Sequence, residues 1–326
     1  MILSNDSIKM QPPYSITPKI LKLITSISEK IGAINANYLN KPNTELRKQN
    51  KIKTIHSSLQ IEGNTLSEKQ ITALLENKRV IGPQKDVQEV VNAIAVYDNL
   101  QNYNPNSSKS FLKAHKTLLK NLIENAGKYR TTGVGIVKGS KIAHLAPPAE
   151  NVPFLMKDLF DYVKKSEEIT LIKSCVFHYE MEFIHPFLDG NGRMGRLWQT
   201  LILMQEYPVF EFIPFETLIS KNQNAYYKAL SDGDKLGNST LFITYMLSVI
   251  DASLEELLDF KQRIYTQKER LAYFVSLNKT PFSRKDYLAV FKDISSATAS
   301  RDLKNGVAQH LFIKTGEKNK TMYEMN

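Results

Sequence analysis

Cysteine is almost missing. Cys175 stands alone among 326 residues, which excludes an intrachain disulfide and a cysteine-built zinc site. Long apolar runs are missing as well: the longest, such as Leu201-Ile202-Leu203-Met204, fall far short of the roughly 20 residues that span a bilayer. Met1 to Tyr14 is polar, carries two prolines and lacks the apolar stretch of a secretory signal. Internal repeats and low-complexity tracts are absent. So is any acidic excess, because 43 Lys plus Arg outnumber 33 Asp plus Glu for a formal net charge of +10. These absences set the expectation of a soluble, cytoplasmic protein with no membrane partner. The positive balance favours nucleotides, nucleic acid or acidic surfaces, without choosing among them.

What is present suffices for a folded core. Apolar residues make up 42% and charged residues 23%, close to the globular average, and the length suggests about two domains, with room for a small third. The periodicity is mostly helical. Ile16 to Tyr38 places Ile20, Leu21, Ile24, Ile27, Ile31 and Ile34 one, three or four residues apart, as an amphipathic helix requires. Thr54 to Glu62 reads as a helix stopped by Gly63-Asn64. Thr65 to Glu68 reads as a capping box that opens a helix through Leu75. Further helices are expected over Val87–Leu100, Phe111–Leu122, Val152–Lys164, Leu171–Phe183, Arg196–Glu206, Ala225–Leu230 and Leu241–Lys261. Between them Gly133 to Pro148, with three glycines and the β-prone Val134 to Val137, predicts a hairpin or flap to which Ile142–Leu145 pairs back.

The end of the chain differs. Ser283 opens a short helix, Ser296 can cap a second over Ala297–Leu303, and Leu311–Lys314 and Thr321–Glu324 read as strands around Gly316–Lys320. Helix, helix and hairpin is the order of a winged helix-turn-helix. Residues 261–326 hold 13 Lys plus Arg and 6 Asp plus Glu, a net of +7, which leaves +3 for the other 260. The expected organisation is an N-terminal helical region over 1–105, a core over 106–260 and a winged helix over 265–326.

Chemistry concentrates in His185-Pro186-Phe187-Leu188-Asp189-Gly190-Asn191-Gly192-Arg193-Met194-Gly195-Arg196. Gly190, Gly192 and Gly195 match G-x-G-x-x-G, but that fingerprint follows a strand and here a helix precedes it. A P-loop fails because Arg196 and Leu197 stand where Lys and Ser or Thr are needed. A zincin helix fails because Met181 precedes Glu182 where His is required. The local physics survives these rejections. Glycines let backbone N–H groups approach an anion, and a helix N-terminus adds free N–H groups and partial positive charge. Arg193 and Arg196 add forked cations suited to phosphate. Asp189 can bind a hard cation, and His185, with an ordinary pKa near ~6.5, can accept a proton from a hydroxyl.

These twelve residues resemble the Fic family signature, H-P-F-x-D/E-G-N-G-R-x-x-R, at every defining position. His178 and Glu182 before it, Gly127-Lys128-Tyr129-Arg130 before the flap and Ala225 to Leu230 after it extend the resemblance over roughly Pro13 to Ile250. It implies a mainly α fold, a Fic-type helical core with a short β-hairpin flap, and transfer of AMP from ATP to a Ser, Thr or Tyr hydroxyl of a target protein or of the protein itself. His185 would be the base and Asp189 would hold Mg²⁺. Asn191 and the Gly190–Gly192 backbone would hold the α-phosphate, with Gly195 in the same turn; Arg193 would clamp the β-phosphate and Arg196 the γ-phosphate. Ile142, Ala143, His144 and Leu145 would align a target segment by strand pairing, and Tyr226 and Tyr227 would line the adenine site or fill core. Ser58-Leu59-Gln60-Ile61-Glu62-Gly63 resembles the family's inhibitory helix, with Glu62 set to pair with Arg196. The resemblance extends to homodimers. Alternatives are a de-adenylylating hydrolase, a transferase of another phosphate-containing group, and a nucleotide-sensing regulator that binds DNA through the winged helix.

Overall fold

In a computed structural model, residues 12–37, 44–138, 141–262, 266–277, 279–292, 294–317 and 321–326 are described, and among them lie fourteen α-helices and two antiparallel hairpins. The chain forms two compact units, Met1–Asn40 with Arg47–Leu258, and Lys41–Leu46 with Asp259–Asn326.

The larger unit opens with α1 (Pro18–Asn37), whose Ile20, Ile27, Ile31 and Ile34 are buried as their spacing predicts. Next comes α2 (Thr44–Ile61), which starts ten residues before the expected Thr54. Its first turns are polar and carry no apolar period, so the pattern becomes visible only where Ile52, Ile55 and Leu59 enter the core. α3 (Glu68–Leu75) also corrects an expectation. Its capping box is Ser67 with Gln70, while the Thr65 hydroxyl donates to Asp86 at 2.6 Å. α4 (Gln84–Tyr97) and α5 (Ser108–Leu118) follow, the latter capped by Ser107, a bond worth about 1 kcal/mol.

The flap exists as β1 (Gly135–Lys138) paired antiparallel with β2 (Lys141–Leu145), with Ile136 opposite His144 and Val137 opposite Ile142. The side chains of Ile142, Ala143, His144 and Leu145 lie outside the described residues. After α6 (Val152–Lys165), α7 (Thr170–Ile184) and α8 (Asn191–Met204) form a helical hairpin whose connection is the His185–Gly190 segment. α8 begins five residues before the expected Arg196, because Gly192 and Gly195 weaken the propensity signal of its first turns. Gly192, Arg193 and Gly195 are therefore helical. Then come α9 (Glu216–Lys221), which the periodicity did not predict, α10 (Gln223–Leu236) and α11 (Thr240–Gln262), in which the unit ends at Leu258.

An aromatic cluster fixes the α7–α8 turn. Phe111 of α5 stacks on Phe187 at 5.3 Å and meets Trp198 of α8 edge-on at 4.9 Å. Phe187 lies in the turn itself and is buried, so the loop is anchored in the core by a side chain whose burial contributes about 1.5–3 kcal/mol.

The smaller unit holds α12 (Gln267–Ser276), α13 (Arg284–Val290), α14 (Ser296–Ala308), β3 (Phe312–Thr315) and β4 (Met322–Met325). β3 and β4 pair antiparallel, and Phe282 bridges to Tyr323. Its core is aromatic: Phe274, Phe282, Tyr287, Phe291 and Phe312. Sequence reasoning placed its last two helices and both strands but missed α12, and the cap of α14 is Ser295 rather than Ser296. No helix of the described residues is long and apolar enough to cross a membrane.

Candidate active site

The α7–α8 turn gathers the residues singled out in the sequence. α7 ends at His185, which adopts the left-handed conformation with φ 49°, and Nδ1 of its partly exposed ring faces Glu182 O at 3.4 Å. Gly190, at φ 86°, is the N-cap of α8 and supplies no side chain to cap it. The first N–H groups of α8, at Asn191, Gly192 and Arg193, precede the first helical bond from Met194 N to Gly190 O. They form an anion-seeking end.

The Asn191 side chain has a structural use. Its Oδ1 accepts from Phe187 N at 3.0 Å and its Nδ2 donates to Phe187 O at 2.9 Å. Both ends of this amide thus shape the loop, and the backbone N–H groups of the turn face the same space. His115 braces the same loop from α5. It stacks on Phe187 at 3.6 Å, donates from Nε2 to Asp189 O at 3.0 Å and accepts Gly127 N–H at Nδ1 at 2.8 Å. One ring nitrogen donates and the other accepts, so the ring is neutral, and burial pushes its pKa down to about 4.

Both arginines are buried and paired. Arg193 donates to Asp189 Oδ1 at 2.8 Å and to Glu89 Oε1 at 3.2 Å. Glu89 also accepts from Asn64 Nδ2 at 2.8 Å, so one buried carboxylate joins Arg193 to the turn that follows α2. Arg196 is fully buried. Its Nη2 donates to Glu62 Oε1 and to Ser58 O, each at 2.8 Å, and its Nε donates to Ser58 Oγ at 3.1 Å. Ser58 O belongs to the last turn of α2, where carbonyls lack helical partners and the dipole is negative. Burial works against the Arg196 charge, but the Glu62 carboxylate beside it raises its pKa above the ordinary value. A Cβ placed on Gly192 would collide with Glu62 Oε1. The Glu62 carboxylate therefore lies on the floor of the α8 N-terminus, where an anion would sit. The negative end of α2 with Glu62 and the positive end of α8 with Arg196 satisfy each other.

Other expected residues fall into place differently. Tyr226 is only 1% exposed, and its hydroxyl donates to His178 Nε2 at 3.0 Å, so it is core. Tyr227 beside it is 41% exposed and is the member of the pair open to a ligand. His178 donates from Nδ1 to Gln199 Oε1 at 2.7 Å, and burial holds its pKa down to about 3. Gly195 lies against its ring, at 2.6 Å from where a Cβ would stand, so this glycine serves close helix packing. No group of three metal-binding side chains occurs among the described residues. Asp189, 44% exposed at the rim, is the one carboxylate of the turn that faces solvent.

Sequence reasoning missed Glu89 and His115. Each left a signal. Glu89 lies on the face of α4 that buries Ala93 and Val96, and His115 lies between Phe111 and Leu118 on the buried face of α5. A polar side chain on an apolar stripe is held there by a partner distant in sequence.

Comparison with known proteins agrees with this geometry. Residues 105–203 match the Fic/DOC family. The protein adenylyltransferase fic-1 of Caenorhabditis elegans is 29% identical over 214 residues, covering 62% of this chain and 40% of the relative. Protein adenylyltransferase Fic of Nematostella vectensis is 26% identical over 258 residues, covering 73% of this chain and 57% of the relative. The chain thus spans between two fifths and three fifths of the length of these curated relatives. Among solved structures, a Fic family protein from Desulfovibrio desulfuricans G20 superposes with a TM-score of 0.74 at 37% identity, over 97% of this chain and 98% of that one. A Fic-1 fragment from C. elegans gives 0.63 at 25% identity, over 74% and 73%.

Proposed function

The chain belongs to the Fic/DOC family, and from that premise we propose that it is a self-inhibited protein adenylyltransferase. The observation that carries the reading is the α8 N-terminus with His185 at its mouth and the Glu62 carboxylate lying on its floor. The α-phosphate of ATP binds at the backbone N–H groups of Asn191, Gly192 and Arg193, with Arg193 toward the β-phosphate and Arg196 toward the γ-phosphate. His185, with Nδ1 turned to Glu182 O, takes the proton of a target hydroxyl at Nε2. The hydroxyl oxygen bonds the α-phosphorus as the bond to the β-phosphate bridge breaks, and pyrophosphate leaves. Positioning and charge neutralisation supply most of the acceleration.

Asp189 suits Mg²⁺. This ion binds through one or two carboxylates plus substrate phosphates and keeps several waters, and Asp189 offers one half-exposed carboxylate beside the cradle. Bound there, the ion would neutralise charge on the ATP phosphates. Asp189 Oδ1 now accepts from Gly190 N at 2.6 Å and from Arg193, contacts that orient the carboxylate toward the rim. Inhibition follows from Glu62: in its resting place it holds Arg196 and fills space that phosphate needs. β1 and β2 offer a strand edge on which a target segment can pair.

The experiment is AMP transfer from ATP labelled at the α-phosphate, with Mg²⁺, in the Glu62→Gly background. Label should appear on protein, and adding His185→Ala should lower it about 10²–10⁴-fold with ATP affinity little changed. Transfer at an undiminished rate without His185 would remove that residue from the mechanism.

A second reading concerns the smaller unit, in which three acidic residues are internally engaged. Glu269 and Asp286 close capping boxes and Asp302 pairs with Arg270, while Arg301 and Lys304 of α14 and Lys314 of β3 stay exposed. A winged helix with such a face suits DNA, and its affinity should then fall steeply with salt. Gel-shift titrations at rising ionic strength test this; no binding at any ionic strength would leave a protein contact as the better role.

A further inference from the structure

Arg130 is buried, yet every hydrogen bond described for its side chain goes to a backbone carbonyl. Nε donates to His185 O at 2.8 Å, and Nη2 donates to Ile184 O at 3.2 Å and to Pro147 O at 2.6 Å. Nη1 donates to Thr132 O at 2.9 Å, and the Arg130 N–H donates to Pro186 O at 2.9 Å. Ile184 and His185 end α7, where carbonyls lack helical partners and the dipole is negative, so a cation is stabilised there without a carboxylate. Thr132 lies just before β1 and Pro147 just after β2, on the two stems of the flap. His185 itself has φ 49°, a conformation that residues with a Cβ hold only when their surroundings impose it.

We propose that Arg130 is a positioning residue that locks His185 into its left-handed turn and ties both stems of the β1–β2 hairpin to that turn. Base placement and target alignment are thereby set together. The proposal rests on the reading of His185 as the base and of the hairpin as the target-aligning flap. Only arginine suits the position: its planar fork carries five N–H donors that reach four carbonyls at once, whereas lysine offers three donors from one point.

The test compares Arg130→Lys and Arg130→Ala with the parent in the Glu62→Gly background. Four quantities are read: kcat and KM for AMP transfer, ATP affinity by calorimetry, amide hydrogen exchange, and rescue by added guanidinium. Arg130→Lys should lower kcat about 10²-fold, the scale of a small misplacement of a reacting group. ATP affinity should hold, because the phosphate contacts come from α8. Exchange should quicken at residues 131–136, 143–150 and 184–187 together, and guanidinium should restore part of the Arg130→Ala rate. An unchanged kcat in Arg130→Lys would overturn the proposal. So would loosening spread evenly over the whole unit with loss of ATP binding, which marks an ordinary core cation. If the Glu62→Gly parent transfers no AMP, the functional reading fails instead. Hydrogen exchange then decides on Arg130 alone: joint loosening of the three segments supports the coupling, and loosening of one or none overturns it.

Discussion

The larger unit buries Arg196 against Glu62, and the smaller unit buries Arg270 against Asp302. In the smaller unit Arg270 Nε and Nη2 reach the two Asp302 oxygens at 2.6 and 3.0 Å, and Gln267 and Tyr287 donate to the same carboxylate. Asp302 is almost fully buried, and the network joins α12, α13 and α14. In the larger unit Glu62 gives Arg196 one oxygen, stays 29% exposed, and leaves Arg196 Nη1 without a hydrogen-bond partner among the described residues. Among the same residues Arg193 Nε also has no partner. A saturated, two-pronged pair serves packing. A one-pronged pair at a helix N-terminus, with donors to spare, can exchange its carboxylate for another anion at small cost. The same residue types make a rivet in one unit and a latch in the other.

Mutation separates the two. Asp302→Ala leaves Arg270 buried without its partner and should cost the smaller unit about 3–5 kcal/mol, read by denaturation with hydrogen exchange over 267–308. AMP transfer should persist, since no residue of the phosphate cradle lies there. A cost below about 1 kcal/mol, the range of an exposed pair, would erase the contrast.

One carboxylate in each unit should also contribute pH dependence of opposite sign. Glu216 of α9 is fully buried with no side-chain partner for either oxygen among the described residues, and burial pushes its pKa up to about 8. Its folded value lies above its unfolded value near ~4.5. Its contribution is therefore fully present below about 4.5 and is lost as pH rises toward 8. Asp286 is the reverse: burial opposes its charge, but bonds from Lys279 and Ser283 hold it at about 2. Its contribution is present above about 3.8 and is lost as pH falls through 2. Glu216→Met should thus gain stability over the parent by about 1.4 kcal/mol per pH unit between pH 5 and 8. Urea unfolding followed by the fluorescence of Trp198, which lies in the same unit, measures it. A pH-independent difference would mean that Glu216 is ionised in place.

The smallest effect is expected from Ser58→Ala, which removes one of two Ser58 contacts to Arg196. It should cost about 1 kcal/mol and raise AMP transfer modestly. Lower transfer would show that Ser58 supports the active state instead.

Much of the site was legible in the sequence because its chemistry is contiguous. His185 to Arg196 carries an imidazole, a carboxylate, glycines and both arginines in one turn and helix start, and Ser58 and Glu62 share a helix face by their spacing of four. What was not legible arises between segments distant in the chain. Glu89 meets Arg193 across 104 positions, and Arg130 grips His185 across 55; no periodicity encodes such pairs. Asn191 has a further use that the sequence did not show, because its amide ties the loop to the Phe187 backbone. In the fold, helix types were readable from apolar spacing, while starts slipped where polar or glycine-rich turns hide the period, as at α2 and α8.

The central claim is that the Glu62–Arg196 pair is a releasable latch. AMP incorporation by the parent and by Glu62→Gly at equal ATP and Mg²⁺, on a target or on the protein itself, tests it most directly. Removing the carboxylate frees Arg196 and clears negative charge from the α8 N-terminus, while the loss of helix propensity at the helix end costs at most about 1 kcal/mol. The account predicts a marked rise, up to about 10²-fold, that disappears when His185→Ala is added. Unchanged or lower incorporation by a Glu62→Gly protein with an intact circular dichroism spectrum would contradict it and return Glu62 to the role of an ordinary helix-end residue.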